Sequence, residues 1–255
     1  EDVIATINRF HPDLVRGYGG YLGAFFRYVK FNGVELHRPK AVHYGADMMA
    51  ERDKRLIEEG FGIPVISSYQ ACEALRLGFQ CEHRQGFHIS MDQVAHRIID
   101  ADGSEVAPGE TGRMVISNLV NRGTVLLNYV LGDMVTRGSG PCPCGRTLPL
   151  IEAIQGRNND LIGRPGGQKI NQGVLFLGFP HNDLIWQKQI EQFEMDRFTI
   201  RIVPSPNCEW DRLRSDLDAQ LRGFLGEQAD LTFECVERIP ADISGKIKGV
   251  ISHIE

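Results

Sequence analysis

Four short motifs carry the carboxylate and basic side chains from which an active site could be built. They are Tyr69-Gln70-Ala71-Cys72-Glu73, Tyr129-Val130-Leu131-Gly132-Asp133, Gly156-Arg157 and Ser244-Gly245-Lys246. Carboxylates can hold a metal ion or accept hydrogen bonds from hydroxyl groups, and a lysine or arginine can stabilise charge on a phosphate. Each motif alone is equally typical of a loop, a turn or a solvated tail, so the chemistry depends on how they combine.

The order and spacing of these motifs resemble the adenylate-forming superfamily. A Y-x-x-x-E after a strand, a Y-x-x-G-D, a G-R-x-x-D and a late G-K-x-K follow one another along the chain. The resemblance is closer to the phenylacetate-CoA ligase and CapK-like branch. It extends through ERDKRLIEEGFGIPV, GFHI, DADGSEVAPGETGRMVISNL and CPCGRTLPLIEAIQGR, and so covers nearly the whole chain.

The resemblance implies a reaction and a role for each motif. A carboxylic acid, aryl or acyl, would attack the α-phosphate of ATP, and the acyl-adenylate would then pass to coenzyme A. The implied roles are adenine binding for Gly45, Ala46, Asp47 and Tyr69, Mg²⁺ binding for Glu73, ribose binding for Asp133, ribose and phosphate contact for Arg157, a bridge between carboxylate and α-phosphate for Lys246, and the following basic position for Lys248.

Two residues at the implied nucleotide site differ from the family pattern. Gln70 stands where the family has glycine, and Cys72 replaces the Ser or Thr whose hydroxyl meets the α-phosphate. A thiol is a weaker hydrogen-bond donor than a hydroxyl, and glutamine adds bulk beside the nucleotide. The alternative is therefore a homologue that binds a nucleotide, an acyl ligand or a partner protein without catalysis.

The glycine-rich segment 17–23, GYGGYLG, contains no Ser, Thr or Lys. It therefore predicts a turn between a strand and a helix rather than a phosphate-binding loop. Because no other segment resembles that loop and position 1 is Glu, we expect the chain to correspond to the C-terminal two thirds of such an enzyme.

The cysteines suggest a separate metal site. Cys81 and His88 lie on a loop leading into short strands, and Cys142 and Cys144 form a C-x-C after later strands. Three thiolates and one imidazole would complete a tetrahedral structural Zn²⁺ site, with His83 as the rival to His88. The alternative is that Cys81 is a buried apolar residue and PCPCG is only a turn.

The elements that must position these residues indicate two domains. A strand at Ala41–Gly45, a helix capped by Asp47 and ended by Gly60, and a strand at 64–67 predict a parallel crossover. Short strands from about residue 86 predict an antiparallel meander or small barrel. Strands within 185–204, an amphipathic helix within 207–228 and a strand at 231–239 predict a small α+β unit.

We therefore predict an α/β plus α+β fold. A partial large domain would span residues 1–156, a hinge 157–167, and a small C-terminal lid domain 168–255. Lys246 belongs to the small domain and Glu73 to the large one, so the predicted site would form only when the lid closes.

The amino-acid composition argues against several other classes of function. The 255 residues are 42% hydrophobic and 24% charged, with a net charge of -5, which is typical of a soluble globular protein. The excess of acidic over basic residues argues against nucleic acid and membrane surfaces as partners. The N-terminus has no signal-peptide pattern, so the sequence predicts a cytoplasmic protein, and a homodimer remains open.

Overall fold

The computed structural model divides into two compact units. It describes residues 2–157, 161–164, 169–171, 175, 179, 184–241 and 247–254. The first unit contains residues 1–131 and 135–153, and the second contains residues 132–134 and 154–255. The predicted hinge at 157–167 lies partly outside the described residues, and the predicted domain limits stay predictions.

The first unit begins with alternating helices and parallel strands. The elements are α1 (Asp2–Phe10), β1 (Leu14–Tyr18), α2 (Gly19–Phe31), β2 (Ala41–Gly45), α3 (Glu51–Arg55), which continues as one π-helical turn over Leu56–Gly60, and β3 (Val65–Ala71). Strand β2 pairs in parallel with β1 and with β3, which confirms the predicted crossover. Buried Phe26, Val42 and Ile57 lie in the core of this part.

The remaining strands of the first unit extend the same sheet. They are β4 (Leu75–Phe79), β5 (Phe87–Ile89), β6 (Val94–Ile99), β7 (Thr111–Asn118), β8 (Tyr129–Arg137) and β9 (Leu150–Arg157). The sheet has nine strands in the order β1-β2-β3-β4-β5-β9-β8-β7-β6. Antiparallel pairing of β6 with β7 confirms the predicted meander, and the short β5 joins the two halves of the sheet.

The second unit is a small α+β structure. Its elements are β10 (Leu161–Gly163), β11 (Lys169–Asn171), β12 (Ile185–Gln192), β13 (Arg197–Pro204), α4 (Trp210–Leu225), β14 (Asp230–Cys235) and β15 (Val250–Ser252). The larger of its sheets has the order β14-β13-β12-β15. Leu213, Leu217 and Leu221 recur on one face of α4 and are buried in the core of this unit, as the helical period predicts. No helix within the described part of the chain is long and apolar enough to span a membrane.

Candidate active site

The loop after β2 is tied to the start of α2. Asp47 accepts hydrogen bonds from the main-chain amides of Gly19 and of Gly20, the latter at 3.2 Å. These amides have no partner within their helix, so a carboxylate satisfies them well. The predicted capping of the following helix by Asp47 is wrong, because α3 begins at Glu51 with Ala50 as its N-cap. The carboxylate caps a helix that precedes it in the chain instead.

The predicted strand-to-helix turn in segment 17–23 is confirmed, because β1 ends at Tyr18 and α2 begins at Gly19. A β-carbon on Gly19 would lie 2.6 Å from the main-chain nitrogen of Met49. This glycine therefore allows the close approach of α2 to the loop that carries Asp47.

Gln70 occupies the space beside Gly45. Arg16 donates a hydrogen bond to Oε1 of Gln70 at 3.1 Å. A β-carbon on Gly45 would lie 3.2 Å from the same oxygen. Because β1, β2 and β3 are parallel, their carboxyl ends lie at one edge of the sheet, which is where ligands of α/β folds bind. Gln70 and Gly45, which the resemblance places at the nucleotide, are therefore neighbours at this edge.

Tyr69 lies within β3 rather than after it. The ring is buried, with 5% of the residue exposed, and packs edge to face against Phe87 at a centroid distance of 6.3 Å. The register of β3 against β4 shifts between Tyr69 and Gln70. Such a bulge changes the direction in which successive side chains point and is common beside active sites. The role of Tyr69 at adenine stays a prediction.

Glu73 lies on the turn between β3 and β4, one residue after the exposed Cys72. Tyr129 Oη donates to the Glu73 carboxylate at 3.5 Å. Asn118 Nδ2 donates to the main-chain oxygen of Glu73 at 2.9 Å. The Glu73 turn is thus held from two sides, and its half-buried carboxylate is presented at the end of the strand pair.

The other predicted site residues belong to the second unit. Asp133 lies in β8, within the segment 132–134 that belongs to the second unit. Its neighbour Gly132 has a φ of 87°. Arg157 is the last residue of β9. Lys248 is exposed, and its main-chain oxygen accepts a hydrogen bond from Gln189 at 2.8 Å. Lys246 lies outside the described residues.

The structure brings together the four residues of the predicted metal set. The candidate ligand atoms of Cys81, His88, Cys142 and Cys144 all lie within 4.8 Å of one another. Cys81 Sγ lies 3.6 Å from Cys142 Sγ, and Cys144 Sγ lies 3.4 Å from His88 Nε2. His83 is exposed and lies outside this group.

The electrostatics of the Cys142–Cys144 turn favour a thiolate at Cys144. Burial alone would raise the pKa of the Cys144 thiol, but hydrogen bonds from the main chain and side chain of Arg146 and from the neighbouring thiols lower the pKa to about 7. The guanidinium of Arg146 also pairs with Glu82 at 2.9 Å. The turn is closed by a hydrogen bond of 3.1 Å from the Gly145 amide to the Cys142 carbonyl.

Comparison with known proteins shows what this chain is similar to. The CapK C-terminal domain family matches residues 162–253. Protein CapK of Staphylococcus aureus is 26% identical over 256 residues, which is 99% of this chain and 55% of that protein. Phenylacetate-coenzyme A ligase of Thermus thermophilus is 30% identical over 169 residues, which is 64% of this chain and 38% of that protein. The chain is thus similar to the CapK and phenylacetate-CoA ligase branch of the adenylate-forming superfamily.

Solved structures share the fold of this CapK-like chain. The 2-hydroxyisobutyryl-CoA ligase in its postadenylation state, in complex with R3-HIB-AMP, superposes with a TM-score of 0.82 at 18% identity, covering 98% of this chain and 56% of that one. An anthranilate CoA ligase in complex with anthranoyl-AMP gives a TM-score of 0.72 at 14% identity, covering 97% of this chain and 50% of that one. The CapK-like chain thus spans about half the length of CapK and of both these ligases.

Three contacts at the candidate site were not predicted from the sequence of this CapK-like chain. They are Arg16 on Gln70, Asn118 on the main chain of Glu73, and Tyr129 on the Glu73 carboxylate. Each joins residues that are distant in the sequence. A signal that could have indicated a local role for Asn118 is an asparagine at the end of a strand, because asparagine side chains often bond to nearby main-chain amides.

Proposed function

We propose that this chain forms part of an AMP-forming acyl- or aryl-CoA ligase. A carboxylic acid would attack the α-phosphorus of ATP, forming the acyl-adenylate and releasing pyrophosphate. The thiol of coenzyme A would then attack the acyl carbon, forming the thioester and releasing AMP. The observation that carries the proposal is the 30% identity with phenylacetate-coenzyme A ligase, together with the ordered motifs that contain Glu73, Asp133 and Lys246.

The residues of the first unit would serve the adenylate half of this reaction. The Glu73 carboxylate, oriented by Tyr129, suits Mg²⁺, which proteins bind through one or two carboxylates together with phosphate oxygens. The ion would offset negative charge on the phosphates of ATP. Gly45 ends β2, and residues 46–47 follow it, at the edge of the sheet where a nucleotide would bind.

The residues of the second unit would bind the ribose and stabilise negative charge on the phosphate. The Asp133 carboxylate would accept hydrogen bonds from the two ribose hydroxyls, and Arg157 would contact the ribose and phosphate edge. Lys246 would bridge the carboxylate of the acid and the α-phosphate as negative charge develops there. Lys248 would hold the next basic position. The acid itself, whether aryl or aliphatic, would be selected by the walls of the pocket.

Pyrophosphate exchange tests the adenylation step directly. The natural protein that carries this chain is assayed with labelled pyrophosphate, ATP and a panel of aryl and aliphatic acids. At least one acid should support exchange, and Lys246→Ala should reduce the exchange rate by roughly 100-fold or more, since it removes a group that stabilises transition-state charge. Lys30→Ala, which changes an exposed lysine on α2, is the matched control and should leave the rate unchanged. Absence of exchange with every acid would refute the proposal.

The second candidate function is ligand binding without catalysis. The observation that favours it is Gln70, whose side chain is held by Arg16 beside Gly45 where the family has only a glycine. Calorimetry with ATP and with AMP separates the two functions. Binding of AMP by a protein that shows no exchange with any acid would favour the non-catalytic homologue. Gain of exchange in Gln70→Gly would identify this side chain as the obstacle.

A further inference from the structure

Two connections of the first unit meet at one point beside β5. Cys81 follows β4, His88 is the central residue of β5, and Cys142 and Cys144 lie between β8 and β9. All four belong to the first unit. Because Cys81 lies on a different connection from Cys142 and Cys144, only the pairing of β5 with β4 and with β9 brings the three sulfur atoms together.

Two distances within this cluster are close to the edges of a tetrahedron around zinc, and all four ligand atoms lie within 4.8 Å of one another. With Zn–S of about 2.3 Å and Zn–N of about 2.1 Å, tetrahedral angles give S···S edges of about 3.8 Å and S···N edges of about 3.6 Å. The corresponding distances are 3.6 Å for Cys81 to Cys142 and 3.4 Å for Cys144 to His88 Nε2. A disulfide would need a sulfur separation of about 2.05 Å, so the two thiols are not bonded to each other.

The side chains of this cluster are buried, and burial of polar groups costs folding free energy unless they bind a partner such as a metal ion. His88 is completely buried, and Cys81 and Cys142 are each only 6% exposed. The Nδ1 atom of His88 is buried and has no hydrogen-bond partner among the residues that the structure describes. Burying a polar ring in this way costs free energy. A bond from Nε2 to a metal ion would contribute binding free energy against this cost, although Nδ1 itself would gain no partner.

We propose that Cys81, His88, Cys142 and Cys144 bind one Zn²⁺ ion as a structural site. Three thiolates and one imidazole occupy all four positions of a tetrahedral ion, so the site has no open position for a substrate. Zinc fits this set because it prefers sulfur and nitrogen ligands in tetrahedral geometry. The proposal concerns the fold of the first unit and does not depend on the proposed ligase function.

The position of the site explains what the ion does. The three-residue strand β5 joins β4 on one side, through Phe79 and His88, to β9 on the other, through His88 and Leu150. A strand this short contributes few ladder hydrogen bonds. The ion ties the β4 end, β5 and the β8–β9 connection to one point, and so crosslinks the strands on the two sides of β5 in the nine-stranded sheet.

Metal analysis and cobalt substitution of the 255-residue chain test the proposal. The purified chain should contain one equivalent of zinc, and replacement by Co²⁺ should give the visible absorption of a tetrahedral thiolate complex. Removal of zinc with a chelator should lower the midpoint of thermal unfolding and speed hydrogen exchange in β4, β5 and β9, while α4 and β12–β14 keep their exchange rates. These measurements use the unmodified chain, so they do not depend on whether a variant folds.

Substitutions then test the ligand set. Cys81→Ser, His88→Ala, Cys142→Ser and Cys144→Ser should each weaken zinc binding by more than about tenfold. Cys235→Ser and His83→Ala are the matched controls, because both residues are exposed and lie outside the cluster, and should keep a full equivalent. The proposal is overturned by fewer than about half an equivalent of zinc per chain after zinc is supplied. It is equally overturned by a Cys81–Cys142 disulfide in the purified chain, or by loss of zinc in the controls alone.

Discussion

At the scale of single residues, Asn118 connects two turns at the candidate site. Its side chain is buried, with 7% of the residue exposed. Nδ2 donates to the main-chain oxygen of Glu73 at 2.9 Å, while Oδ1 accepts from the amides of Val120 at 3.1 Å and Asn121 at 2.8 Å. One amide side chain thus holds both the Glu73 turn and the turn after β7, and all its partners are main-chain groups.

We predict that Asn118→Ala destabilises the first unit by about 1–3 kcal/mol. The substitution leaves the main-chain oxygen of Glu73 and the amides of Val120 and Asn121 without the hydrogen bonds that Asn118 makes to them. Urea unfolding measures this change. In the protein that carries the chain, the same substitution should also reduce pyrophosphate exchange, because the Glu73 turn is no longer held. Asn118→Asp should keep the two accepted bonds and still lose the bond to Glu73.

The matched control for this prediction is Asn121→Ala. The Asn121 side chain is exposed and accepts from the amides of Gly123 and Thr124 within its own turn. Its loss should change stability by less than about 0.5 kcal/mol, as for most surface substitutions. Equal stability of the Asn118→Ala and Asn121→Ala proteins would contradict the role given to Asn118.

At the scale of elements, the start of α2 is shaped by packing rather than by helix propensity. The helix opens with two glycines, which are poor helix formers. A β-carbon on Gly19 would meet main-chain atoms of Met48 and Met49 at 2.7 and 2.6 Å. The Gly19 amide also donates to Asp47. The close contact with the loop after β2 therefore requires glycine at this position.

We predict opposite effects for two glycine-to-alanine substitutions in helices. Gly19→Ala should destabilise the chain by roughly 1–3 kcal/mol, because main-chain atoms must move to admit the methyl group. Gly223→Ala, in α4, has open space around its β-carbon and should stabilise by roughly 0.5–1 kcal/mol through helix propensity.

Urea unfolding of both variants and of the unchanged chain checks the sign of each effect. Stabilisation by Gly19→Ala would show that propensity outweighs packing at the start of α2. Destabilisation by Gly223→Ala would show that α4 does not follow the propensity rule there.

At the scale of the whole molecule, each unit has a core of its own. Ile57 is completely buried in the core formed by α2, α3 and the parallel strands. Leu217 is completely buried in the core formed by α4 and the sheet of the second unit. The two cores share no residue, so each unit carries its own hydrophobic stabilisation.

We predict that core truncations act on one unit at a time. Ile57→Ala and Leu217→Ala should each cost about 2–5 kcal/mol, as is usual for removing a large aliphatic side chain from a core. Hydrogen exchange should rise in α2, β2 and β3 for Ile57→Ala, and in α4, β12 and β13 for Leu217→Ala. Substitutions that share no partners are usually additive. Raised exchange throughout both units from either substitution would contradict separate cores.

The elements with a clear period or clear end signals could be predicted from the sequence alone. Helix α4 follows from its leucines at helical spacing, and β2 at Ala41–Gly45 matches its predicted bounds. These features depend on neighbouring residues and on burial of one face, which a sequence displays directly. The similarity to CapK and phenylacetate-CoA ligase was predicted in the same way, from the residue types and order of the motifs that contain Glu73 and Asp133.

The contacts that define the candidate site depended on the tertiary structure. Asp47 caps α2 rather than the helix after it, because a carboxylate can reach any amide that the fold brings near. For the same reason Arg16 in β1 reaches Gln70 in β3 across the intervening strand β2. The sequence supplied three cysteines and two candidate histidines, and the pairing of β5 with β4 and β9 placed His88 rather than His83 among the thiols. Residue types and local order determine which chemistry is available, whereas strand pairing over long sequence separations determines which side chains meet.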